Sequence, residues 1–461
     1  MGGRLPQTRL PNQYLIACLF VSLHCLLIKN SFGTDAPALP VRTTKNAQLQ
    51  RIHLMRQYLL QLCAVLSMCL VSPFLNARPQ PGVAVMVDVH HLAKDTWRVD
   101  YRFAKAVTAV KFEAVADFRQ KAWKVLTPGM RVTVAADHDV IDFGGKPFKA
   151  ASVEIHTFDG LAPKAYAPFN RFSDGGTAIF LGFLQGEGVM GSRALPMLTD
   201  IRLHGLAQEN VIAPPPNARQ AGGDRGYAYF GPARSVRSGA TQFLIDPAAP
   251  AWMREIFLDA GSKLSAYYET AYRRPLRDEL LVMLSVSGFD AEGLSIKGGA
   301  VMGQLSYRFD GSSTLNDHPK YRETMVRLVG HELAHLWQMN LARGGMGEND
   351  PWIHEGGADA MALDGLLQTG LWSQDALTAY TKRQWATCDK LGNTVDTYEG
   401  IYACGLVRFN KLGVGIVPLW RDMMAASEVT GDTYSPGMID AIVLKSKKAP
   451  RPAVPAEGGG Q

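Results

Sequence analysis

His331-Glu332-Leu333-Ala334-His335 and, after nineteen intervening residues, Glu355-Gly356-Gly357-Ala358-Asp359 are the two stretches on which the reading of this chain turns. Positions i and i+4 of a helix lie one turn apart on one face, so both imidazoles can meet a single Zn2+ at about 2.0–2.1 Å. Glu332 is turned about 100 degrees from His331, which sets it beside such an ion, where a carboxylate can take a proton from water. The gap before Glu355 lets the chain turn at Gly344-Gly345-Met346-Gly347 and return an antiparallel helix carrying a third, anionic ligand. Asp359 shares the face of Glu355, placed to accept the outer N–H of a ligand histidine and fix its tautomer. Leu336, Trp337, Trp352, Ile353, Met361 and Leu363 make the surroundings apolar, as a site with perturbed pKa values requires. The expectation is one zinc ion per chain on His331, His335 and Glu355, with Glu332 as base and Asp359 behind the ligands.

Outward from this centre, Pro319 in a first turn, with Asn316 or Asp317 as cap, predicts a helix reaching about Leu341. Val326, Val329, Leu333, Leu336 and Trp337 occupy one side of it and Leu328 sits with the histidines, so it is expected to be buried. The second helix is expected over Pro351–Leu367. Upstream, Trp252 to Tyr268 has helical periodicity, while Leu280 to Val286 and Ala300 to Phe309 read as strands. From Val83 to about Phe230 short alternating runs such as Trp97-Arg98-Val99-Asp100-Tyr101-Arg102-Phe103 predict an antiparallel β domain, interrupted by a surface loop at Ala213–Gly223. The fold class is therefore α+β: a β-rich domain over 78–240, a mostly helical catalytic domain with a small edge sheet over 241–444, and an unstructured tail over 445–461.

The spacing of the HELAH motif, Glu355 and Asp359 resembles that of the gluzincin zinc metallopeptidases, whose thermolysin-like members share it. Trp352-Ile353-His354-Glu355-Gly356-Gly357-Ala358 looks more like the aminopeptidase N-like and glycyl aminopeptidase branches, with a tryptophan before the glutamate and Glu-Gly following. The resemblance covers roughly residues 250–410. It implies a thermolysin-like catalytic domain, a hydrolase acting on peptide bonds, and an oxyanion donor. Tyr402, three residues before Gly405, resembles the tyrosine that polarises the carbonyl in those aminopeptidases, with Tyr398 in reserve; a core tyrosine is the alternative for either. Those enzymes also carry a Gly-Ala-Met-Glu-Asn strand that binds substrate and the free α-amine. Here the chain reads Gly298-Gly299-Ala300-Val301-Met302-Gly303-Gln304, so Gly299, Ala300 and Met302 are the expected substrate-binding residues, and the carboxylate for the amine is missing. Aminopeptidase-like action is the first expectation; an endopeptidase of the same fold and a non-catalytic zinc-bearing peptide-binding scaffold are the alternatives.

The chain of 461 residues has 48 Lys and Arg against 42 Asp and Glu, yet residues 1–77 hold seven of the bases and one acid, leaving 41 of each beyond Ala77. The body is neutral, which argues against nucleic acid as a partner; a peptide substrate is what the resemblance implies. Tyr14–Ile28 and Tyr58–Phe74 are apolar runs of signal-peptide length. Met55-Arg56, Tyr58–Val71 and Leu75-Asn76-Ala77 give the basic start, apolar centre and cleavage site of a signal peptide over 55–77. Residues 1–54 are then an upstream extension or a membrane anchor, and the protein is expected to be periplasmic or secreted, meeting a membrane only through an uncleaved leader. Cys388 and Cys404 are the two cysteines outside the apolar runs, forming one disulfide or two buried thiols. His354 points away from the ligand Glu355 and is read as structural or cleft-lining. His90-His91 is read as an ordinary strand pair, and Arg273-Arg274 as solvated surface.

Overall fold

The computed structural model describes residues 82–448, apart from 135–136, 159–165, 216–218, 221–222, 225, 277–278, 302 and 342–349. The leader, the turn at Gly344–Gly347, Met302 and the tail beyond Lys448 thus lie outside the described residues. Among those described, no helix is long and apolar enough to cross a membrane.

The N-terminal half is sheet-rich because its strands alternate. Val83, Val85, Val87 and Val89 turn inward on one strand, and Trp97, Val99, Tyr101 and Phe103 on the next. These belong to a nine-stranded sheet ordered Trp123–Val125, Phe148–His156, Thr96–Val107, Val83–Ala93, Arg193–His204, Glu187–Met190, Ala109–Glu113, His138–Asp142 and Arg131–Val134. A four-stranded sheet of Asn210–Ile212, Tyr227–Gly231, Thr177–Phe180 and Phe169–Arg171 closes the same core. Pairing is antiparallel, as expected, with one exception: Val83–Ala93 runs parallel to Arg193–His204, more than a hundred residues away.

The C-terminal half opens with a five-stranded sheet of β1 (Val236–Ser238), β2 (Thr241–Ile245), β3 (Leu280–Ser287), β4 (Ser295–Val301) and β5 (Gln304–Asp310), ordered β1-β2-β3-β5-β4. The run expected as one strand over Ala300–Phe309 is a strand from Gln304 onward, but its start is the turn of a hairpin: β4 ends at Val301 and β5 starts at Gln304. Gly303 supplies the left-handed turn residue, at φ 68°. Strand β3 is buried on both faces. Val282, Leu284 and Val286 enter the helical core, whereas Leu281 and Met283 enter the core of the β half. The sheet is thereby sandwiched between the helices and the β half. Polar ties cross the latter contact, where Gln304 receives the Tyr227 N–H at 2.6 Å and donates to its carbonyl at 2.9 Å.

The helices of this half are α1 (Ala251–Tyr272), α2 (Pro319–Leu341), α3 (Pro351–Gln368), α4 (Gln374–Lys390), α5 (Tyr398–Lys411), α6 (Ile416–Thr430) and α7 (Pro436–Lys448). Helix α2 starts at Pro319 as expected, but the capping acceptor is His318, whose Nδ1 receives the Lys320 N–H at 3.2 Å. Asp317 instead holds Arg322 at 2.5 and 2.8 Å. Helix α7 continues to Lys448, four residues into the stretch expected to be tail.

Candidate metal centre

The centre forms where α2 lies against α3. Val329, Leu333, Leu336 and Trp337 bury one side of α2, which turns His331 and His335 toward α3 at 3 and 6 % exposure. Three donor atoms converge there. His331 Nε2 lies 3.0 Å from His335 Nε2 and 3.1 Å from Glu355 Oε2, and His335 Nε2 lies 3.4 Å from that oxygen.

The outer nitrogens fix what these atoms present. His331 Nδ1 is 2.8 Å from Asp359 Oδ1, a carboxylate that accepts, so the nitrogen donates. Gln338 Nε2 donates to the His354 carbonyl at 3.1 Å, which orients its amide so that Oε1 accepts from His335 Nδ1 at 2.8 Å. With both Nδ1 atoms donating, both Nε2 atoms turn lone pairs toward the Glu355 carboxylate. Three lone pairs so close repel unless a proton or a cation sits among them. Zn–N distances of 2.0–2.1 Å at tetrahedral angles call for ligand atoms about 3.3 Å apart, close to the separations found. The donor set thus fits zinc. The electrostatics agree: burial lowers the His331 pKa, but Asp359, Glu355 and Glu332 outweigh it and raise it to about 10, while the imidazoles overcome burial at Glu355 and lower its pKa.

Asp359 is buried and held by more than His331. Arg327 donates to its Oδ1 at 2.5 Å and the Tyr380 hydroxyl to its Oδ2 at 3.2 Å. The interaction with Arg327 keeps this carboxyl below the usual carboxylate range despite burial. Sequence reasoning missed Arg327, Gln338 and Tyr380. Two had a signal, since Arg327 precedes His331 by four residues and Gln338 follows His335 by three. Tyr380 comes from α4 and had none.

Glu332 stands beside the three donors. Its Oε2 accepts the Ala300 N–H from β4 at 3.0 Å. The Ala300 carbonyl accepts the Tyr166 hydroxyl at 2.7 Å. Ala300, expected to offer its backbone to substrate, therefore has both backbone groups engaged by side chains. Gly299 does face Glu332, because a Cβ there would lie 3.6 Å from its Oε2. Gly298 sits at φ 137°, where a Cβ would meet the Ser306 carbonyl.

Tyr402 reaches the centre from α5. Its ring centroid is 5.7 Å from that of His331, and burial, the Glu355 charge and Tyr398 together hold its hydroxyl protonated, with its pKa far above the usual phenol value. Tyr398 is exposed, its hydroxyl 3.5 Å from that of Tyr402. What lets α5 come so close is a glycine contact: a Cβ on Gly356 would lie 2.3 Å from the Gly405 carbonyl carbon, and one on Gly405 2.9 Å from the Trp352 oxygen. Cys388 and Cys404 form a disulfide that joins α4 to α5. His354 stacks behind His335, ring centroids 4.1 Å apart.

Asp88, His90 and His204 make a second convergence, on the nine-stranded sheet. His91 points away to Glu209 and Trp97, as alternation along a strand requires. His204 Nε2 is 3.0 Å from Asp88 Oδ1, and the His90 and His204 rings stack at 4.3 Å. Arginines already occupy the carboxylates here, Arg102 on Asp88 and Arg98 on neighbouring Asp100. This is a neutralised cross-strand ladder, unlike the converging lone pairs on α2 and α3.

No protein-family model matches the sequence, and no curated protein matches it. Solved structures do. An aminopeptidase N family protein from Idiomarina loihiensis superposes with a TM-score of 0.55 at 11% identity, over 80% of this chain and 73% of that one. An M1 zinc metallopeptidase from Deinococcus radiodurans gives 0.44 at 13% identity, over 79% of this chain and 90% of that one. A two-domain M1 zinc metallopeptidase variant bound to L-arginine gives 0.43 at 13% identity, with the same coverage. At such identities a likeness speaks for the fold alone: the chain has the α+β architecture of the Idiomarina loihiensis protein, a sheet-rich N-terminal half followed by a helical C-terminal half.

Proposed function

We propose that this chain is an exported zinc-dependent peptidase of aminopeptidase-like type. The observation that carries the reading is the convergence of His331, His335 and Glu355 lone pairs beside a carboxylate, Glu332, that has one oxygen anchored and the other available. Zinc on that set would acidify a water toward a pKa of about 7 and polarise the scissile carbonyl. Glu332 takes the proton of the attacking water on its unanchored oxygen and delivers it to the leaving amine. Tyr402, protonated beside Glu355, donates its hydroxyl to the oxyanion. Asp359 and Gln338 hold the two imidazoles in the tautomer that ligation needs. A pure binding scaffold would have no use for Glu332. Export is supported by the leader pattern over 55–77 and by the Cys388–Cys404 disulfide, a feature of oxidising compartments.

One observation favours an endopeptidase as the second reading: Gly298-Gly299-Ala300-Val301 brings no carboxylate toward a substrate ammonium. Glu332→Gln tests the main reading. Zinc content should stay at the wild-type level while peptide hydrolysis falls by at least about a hundredfold, the low end for a general base; full activity in this variant would refute it. Comparing a peptide with a free and an acetylated N-terminus separates the two readings, since indifference to acetylation excludes an aminopeptidase.

A further inference from the structure

We propose that Tyr166, contributed by the β half, is a positioning residue for Glu332 that acts through the backbone of Ala300; the proposal rests on the peptidase reading above. In an antiparallel strand the N–H and C=O of one residue point to the same side, and on an edge strand the outward row is open to pairing with another chain. Strand β4 is such an edge. At Ala300 its outward pair is closed by two side chains from two different layers: the N–H goes to Glu332 on α2 at 3.0 Å, and the carbonyl takes the Tyr166 hydroxyl at 2.7 Å. Ala300 is thus clamped between the catalytic half and the β half.

Tyr166 is itself fixed. Its ring lies 4.6 Å from that of Phe180 and edge-on to Tyr227 at 6.5 Å, and the Tyr227 hydroxyl donates at 2.9 Å to the carbonyl of the next residue, Ala167. Burial, with the charges of Glu332 and Glu355, lifts the pKa of Tyr166 to about 12, which keeps it a donor at neutral pH. The chain of contacts runs from the β-half core through Tyr166 and Ala300 to one oxygen of Glu332, and its effect is to fix that oxygen and with it the orientation of the carboxylate. A base held in register lowers the cost of reaching the transition state without tightening the ground-state complex. The β half therefore helps to place the base in addition to burying one face of the sheet.

Tyr166→Phe keeps the ring and removes the hydroxyl. In the zinc-loaded full chain, kcat should fall about three- to tenfold, the cost of one lost hydrogen bond, with KM within about twofold of wild type. Zinc content should not move, and the thermal midpoint should fall by no more than the few degrees that one lost hydrogen bond costs. Hydrogen exchange at Ala300, read on a fragment spanning residues 295–301, should speed up by a similar factor, and this readout needs no turnover. If the wild-type chain cleaves no peptide, the peptidase reading fails by itself and the exchange rate alone decides the positioning role. An unaltered exchange rate overturns the proposal. So does a kcat loss accompanied by zinc loss or by a midpoint lowered by more than about 10 °C, which would mark Tyr166 as a structural prop.

Discussion

At the scale of single residues, the proposed centre depends on the outer nitrogen of each histidine being committed elsewhere. His331 and His335 cannot turn lone pairs inward unless their Nδ1 protons are taken, by Asp359 and by Gln338. Asp359 carries charge as well as geometry, with Arg327 and Tyr380 compensating it. Asp359→Asn keeps the size and an acceptor oxygen but removes the charge, so zinc affinity should weaken by about 10- to 100-fold with the fold intact. Competition against a chelator measures it; unchanged affinity would show that Asp359 does not tune the ligand. His331, Glu332, His335, Glu355 and Asp359 were legible because helical spacing of three and four places them on shared or adjoining faces. Tyr166 was not, since it meets Ala300 across more than 130 residues and belongs to a different layer.

At the scale of elements, the decisive packing is α3 against α5. Gly356 and Gly405 let these helices approach until their backbones touch, which brings Tyr402 to Glu355. Gly357 does the same toward α6, where a Cβ would lie 2.4 Å from the Trp420 ring. Gly356→Ala should destabilise the chain by about 1–3 kcal/mol, the usual cost of overpacking, and lower turnover by moving Tyr402 while zinc stays bound. Denaturant unfolding and zinc analysis of the same sample check this; unchanged stability would mean that the crossing is looser than described. Helix limits could be read from prolines and periodicity, as at Pro319 and Pro351, but the cap of α2 could not, since His318 takes the place expected for Asn316 or Asp317. The β4–β5 hairpin could not, because its turn depends on one glycine in a run that already has several.

At the scale of the molecule, one mixed sheet separates two hydrophobic cores, and strand β3 feeds alternate side chains into each. The β half and the helical half thus share a wall, and at its edge Glu332 and Tyr166 meet on Ala300 of β4. Alternation and composition forecast the α+β class, but not the strand order of the nine-stranded sheet. The parallel pairing of Val83–Ala93 with Arg193–His204 depends on chain segments too far apart for local pattern to register. The central claim is that His331, His335 and Glu355 hold one zinc ion, and the most direct test is metal analysis of the purified full chain beside its His335→Ala variant. About one zinc per wild-type chain and near none in the variant is the predicted result; equal zinc in both would contradict it.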